Sequence, residues 1–75
     1  MTTLAQKDFL INYAIDQIAV FLMEDYHLEL PEALEQIYNS QFYEKIVNLD
    51  TGLYYQSPAY NYGLLKHEIE FGKIG

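Results

Sequence analysis

The first pattern in the chain is a run of apolar residues at Ile11, Ala14, Ile15, Ile18 and Leu22. Spacings of three and four residues line one face of an α-helix. Leu10, Tyr13 and Phe21 widen that stripe, and Asn12, Asp16 and Gln17 mark part of the solvated side. Thr3 suits the cap position, with Gln6 three residues on to reach back in a capping box. This is the longest predicted element.

The periodicity lapses around Tyr26-His27-Leu28-Glu29-Leu30, and Pro31 then fits the first turn of a second helix, where its missing N–H costs nothing. Glu32 in that turn complements the helix dipole, and Ala33, Leu34, Ile37 and Tyr38 supply the buried side. Asn39 or Ser40 closes this helix and caps a third, whose apolar positions are Phe42, Tyr43, Ile46, Val47 and Leu49. Asp50-Thr51-Gly52 reads as a turn. Leu53-Tyr54-Tyr55-Gln56 reads as extended or irregular before Ser57-Pro58, where a serine cap and a proline restart a helix. That fourth helix runs to about Phe71, with Tyr62, Leu65 and Ile69 facing inward and Gly72 as its stop. Gly63 inside it suggests a close backbone contact, since glycine there costs up to about 1 kcal/mol relative to alanine. The pattern predicts an all-α fold: a small bundle of about four helices in one domain covering residues 1–75, with no repeat or linker.

At 75 residues the chain is near the lower limit for a self-sufficient core. Such a domain buries only about 60% of its unfolded surface and has a net stability of roughly 3–5 kcal/mol. Apolar residues make up 51% and charged residues 20%, a balance that folds. With no cysteine, disulfides and thiolate zinc sites are excluded. No basic start followed by an apolar run marks a secretory signal. The apolar stretch at residues 9–23 is interrupted by Asn12, Asp16 and Gln17 and falls short of the roughly 20 residues that cross a bilayer. The default expectation is a soluble cytoplasmic protein.

Eleven acidic residues face four lysines and no arginine, for a formal net charge of −7. Phosphate backbones need cations to neutralise them, so direct binding to nucleic acid or to an anionic membrane is not expected. A basic protein partner is compatible, because complementary charge steers encounter. Plain solubility is the competing reading of the same charge.

Little in the sequence points to catalysis. Ser40 and Ser57 are the only serines, both at predicted caps and neither in a Gly-x-Ser-x-Gly elbow. Glu24, Asp25, His27 and Glu29 form an acidic knot whose spacing matches neither a calcium loop nor a zinc helix. His67, beside Glu68 and Glu70, reads as a surface residue paired along its helix. No catalytic residue, cofactor or metal is expected.

The sharpest local feature is aromatic: four of the eight tyrosines, Tyr54, Tyr55, Tyr60 and Tyr62, fall within nine residues. Tyrosine joins a large apolar area to a polar tip with few rotors to freeze, which suits binding surfaces; any single ring fits the core more readily than an interface, but all four together are harder to hide. Tyr54, Tyr55 and Tyr60 are the candidate partner-binding residues, at least one of them expected to be exposed.

The block Asp50-Thr51-Gly52-Leu53-Tyr54-Tyr55-Gln56-Ser57-Pro58-Ala59-Tyr60, followed by Leu64-Leu65-Lys66 and a glutamate, resembles the C-terminal part of short bacterial proteins classed as domains of unknown function. With residues 9–23 and 32–40 the resemblance extends over roughly residues 8–72. Such proteins are often encoded beside a second small protein with an ADP-ribosyltransferase-like fold, which resembles a toxin with its antitoxin. The resemblance implies a neutralising or regulatory partner and carries no functional residues. The acidic surface, the tyrosine-rich segment and the lack of catalytic residues make a non-enzymatic protein–protein interaction module the leading expectation. The alternatives are an acidic nucleic-acid mimic or inhibitor, and a structural homodimer that buries surplus aromatics across a twofold axis.

Overall fold

The structure is a computed structural model that describes residues 4–72, with side chains from Lys7 onward. Four α-helices lie among these residues: α1 (Leu4–Tyr26), α2 (Leu30–Tyr38), α3 (Gln41–Val47) and α4 (Pro58–Phe71). Two 3₁₀ turns, Leu49–Thr51 and Leu53–Tyr55, link α3 to α4. No strand occurs among the described residues, so the fold is the all-α bundle that the periodicity predicts. The capping box expected from Thr3 and Gln6 lies outside the described residues and side chains.

The bundle is organised around α1. Its 23 residues at about 1.5 Å each nearly span the 38 Å long axis of the molecule. α2 and α4 pack along it, the second 3₁₀ turn also rests on it, and α3 leans on α4 and the two 3₁₀ turns. The whole predicted stripe of Ile11, Ala14, Ile15, Ile18 and Leu22 is buried, joined by Ala19, Ala33, Ile37, Phe42, Ile46, Tyr54 and Leu65. Full burial of a large aliphatic or aromatic side chain contributes about 1.5–3 kcal/mol before entropy is subtracted. Phe42, Ile18, Leu22, Ile37, Ile46 and Leu65 are the largest apolar side chains with no exposure.

Capping explains the boundaries. α1 ends at Tyr26 because His27 adopts a left-handed conformation, φ 56°, at a position usually filled by glycine. Histidine is among the few other residues that enter this region with any frequency. α2 opens on Glu29, whose N–H donates to the Glu32 carboxylate at 3.2 Å, with Pro31 in its first turn. Ser40 joins α2 to α3: its hydroxyl donates to the Ile37 carbonyl at 2.5 Å and accepts from the Tyr43 N–H at 3.0 Å. Ser57 caps α4 by accepting from the Tyr60 N–H at 3.1 Å, and Gly72 ends it at φ 80°.

Several expectations need correction. Leu53–Tyr55 is neither extended nor irregular but a 3₁₀ turn, closed by Tyr55 N–H to Gly52 O at 3.1 Å and Gln56 N–H to Leu53 O at 3.0 Å. The left-handed Gly52, φ 70°, turns the chain so that this segment coils and buries Tyr54. Tyr13, Tyr38, Val47 and Ile69, expected on buried faces, are exposed. Tyr13 lies on the side of α1 turned away from its buried row, and the neighbouring helices leave Tyr38, Val47 and Ile69 more than a third uncovered. Gly63 has no close contact, since a Cβ added there would meet nothing within 4 Å.

Candidate functional site

The three candidate tyrosines separate in the structure. Tyr54 is a core residue, 7% exposed, whereas Tyr55 is 66% and Tyr60 52% exposed. Tyr54 is therefore not available to a partner, and its place in the candidate set is corrected: the 3₁₀ turn points its ring inward, where the Lys7 ammonium lies 5.9 Å from the ring centroid. Tyr55 packs its ring on Tyr54 with centroids 4.3 Å apart and planes tilted by 31°. The Tyr54 phenol is pushed above its ordinary range, first by its hydrogen bond with Tyr55 and then by burial. Tyr60 stands in the first turn of α4, its N–H held by Ser57.

Asn61 fixes this corner. It is fully buried, and its Nδ2 donates to the Leu53 carbonyl at 2.9 Å, tying the 3₁₀ turn to α4. Its Oδ1 is buried without a protein donor among the described residues. The sequence offers no warning of this role, because an asparagine between two tyrosines reads as part of a polar face.

Tyr62, the fourth member of the aromatic run, serves the interior. Its ring meets Phe21 at 5.2 Å and its hydroxyl donates to Asp25 Oδ2 at 2.6 Å. Lys66 Nζ lies 3.6 Å from the same oxygen. The Tyr62 phenol is pushed well above its usual range, mainly by burial and then by donation to the carboxylate. Asp25 is thereby engaged with α4, and no group of three His, Asp or Glu among the described residues is close enough to hold a metal ion.

A groove of about 500 Å³ opens between α2 and the C-terminal half of α4, lined by Glu32, Glu35, Asn39, Ser40 and Glu68 with Leu28 and Ile69 beside them. Its hydroxyl, that of Ser40, is already engaged on both sides by backbone groups. Glu68 is a structural residue of this groove that local sequence patterns miss. Its Oε2 accepts from the Gln41 N–H and its Oε1 from the Phe42 N–H, both at 2.8 Å. One carboxylate on α4 thus satisfies two of the free donors that every helix start presents, here those of α3. His67, expected to pair along its helix, packs its ring on Phe71 at 4.7 Å.

No protein-family model matches the chain, and no curated protein or solved structure matches it either. No helix among the described residues is long and apolar enough to cross a membrane.

Proposed function

We propose that the chain is a non-enzymatic protein–protein interaction module, the neutralising or regulatory partner of another gene product, and that Tyr55 and Tyr60 belong to its contact surface. One observation carries the reading. Two tyrosines more than half exposed stand on a segment whose backbone is fixed by a 3₁₀ turn, a serine cap and a buried asparagine. Rigid aromatic rings with a polar tip give large contact area at small entropic cost. The formal net charge of −7 favours a basic partner.

Affinity capture from native lysate, comparing the wild-type chain with a Tyr55→Ala/Tyr60→Ala variant, tests this. The expected result is a stoichiometric protein partner retained by the wild type and lost by the variant. A wild-type chain that captures nothing and sediments as a monomer would overturn it.

A further inference from the structure

α1 carries a second apolar stripe. At 100° per residue the buried row Ile11, Ala14, Ile15, Ile18 and Leu22 centres on one direction, and Phe9, Tyr13 and Val20 fall within about 40° of one another on the opposite side. These three are 69%, 51% and 45% exposed. They run along about 16 Å of the helix axis, a ridge of helical spacing with no described element of this chain laid on it. A helix that is apolar on two opposite faces ordinarily packs on both.

The charges around the ridge indicate what covers it. Asp16 on one flank and Glu24 on the other are exposed. No described lysine reaches this side: Lys7 lies over Tyr54 on the inward side, Lys66 on α4 pairs with Asp25, and Lys45 is on α3. A second copy is a poor occupant. Both copies carry a formal net charge of −7, and antiparallel pairing of the ridge, whose midpoint falls between Tyr13 and Asp16, sets Asp16 near its twin. We propose that the outer face of α1 docks an amphipathic helix of a different protein, one with an apolar row flanked by lysine or arginine. Phe9, Tyr13 and Val20 pack between the partner's apolar side chains, and Asp16 and Glu24 meet its cations. Ridge-to-groove packing of two helices sets the contact geometry. This inference rests on the interaction-module reading and gives it a surface distinct from the tyrosine segment.

The probe is a synthetic amphipathic peptide of about 18 residues, long enough to hold helical structure, with a leucine row flanked by lysine and arginine. Its control replaces every cation with glutamate. Amide chemical-shift mapping on the isotope-labelled 75-residue chain is expected to show changes centred on Phe9, Tyr13 and Val20 with the basic peptide and none with the control. Val20→Glu and Phe9→Ser, each checked for unchanged helicity, are expected to weaken binding about tenfold or more. Raising salt from about 50 to 300 mM is expected to weaken it severalfold. Equal binding of both peptides, shifts centred elsewhere, or no binding of the basic peptide would overturn the proposal. A homodimer dissolved by Val20→Glu would overturn it too, by making a second copy the occupant. If the α1 variants still capture the lysate partner and the Tyr55→Ala/Tyr60→Ala variant does not, this inference fails and the interaction-module reading stands.

Discussion

Replacing Glu68 tests whether the N-terminus of α3 is held from α4. The carboxylate accepts two backbone N–H groups, one exposed at Gln41 and one partly buried at Phe42. A hydrogen bond to a charged acceptor contributes about 1.5–3 kcal/mol when shielded, and loss of a helix cap costs about 0.5–2 kcal/mol. Water replaces the carboxylate readily at Gln41 and poorly at Phe42, so Glu68→Ala is expected to destabilise the fold by about 2 kcal/mol. Glu68→Gln keeps one acceptor oxygen and turns its amide donor toward the other N–H, so it is expected to lose about 1 kcal/mol or slightly more. For a domain of this size about 2 kcal/mol corresponds to a Tm lowered by roughly 10 °C. Glu70→Ala, on the same helix and exposed, makes the same change in helix propensity and is expected to stay within about 0.5 kcal/mol of wild type. Urea unfolding followed by circular dichroism gives the free energies, and hydrogen exchange at the Gln41 and Phe42 amides locates the effect. If Glu68→Ala and Glu70→Ala unfold alike and exchange at Phe42 is unchanged, the cross-helix cap contributes nothing and the reasoning fails.

Gly63→Ala is expected to raise stability by about 0.5–1 kcal/mol, because the added methyl meets open space in mid-helix; a lower urea midpoint would show an unseen constraint there. Asn61→Ala removes the tie to Leu53 O and leaves a void at a fully buried site, with an expected loss of about 2–3 kcal/mol and faster exchange at the Tyr55 and Gln56 amides. The raised Tyr62 phenol gives a pH dependence with a definite sign. The unfolded phenol ionises near pH 10, at about its ordinary value, and the folded one higher, so its contribution is intact below about pH 10 and declines as pH rises beyond it. Tyr62→Phe is accordingly expected to flatten part of the alkaline fall in stability, leaving the part due to Tyr54; an identical alkaline slope in the variant would contradict this.

What the sequence reveals follows from the range of the forces involved. The α1 stripe, the Ser40 and Ser57 caps, Pro31 and Pro58 in first turns and the stop at Gly72 depend on residues at most four apart, and all appear as read. The left-handed His27 escapes notice because it occupies a glycine's place without being one. Glu68 reaches α3 across 26 and 27 residues of chain, and Tyr54 is separated from Lys7 by more still. No local spacing announces such pairings. The tyrosine cluster was legible as a feature but not in its division, since which ring turns inward depends on the coil that Gly52 sets. The outer ridge of α1 is hidden in the sequence, where Tyr13 widens the buried stripe, because only the arrangement of α2 and α4 shows which side they leave bare.

The Tyr54–Tyr55 stack has a bearing on recognition. Tyr55 rests on a ring that the interior already immobilises, so its orientation is chosen before any encounter and little rotational freedom remains to be surrendered on contact. A ligand that seats on it meets a finished platform, and association there would show itself chiefly as slow release.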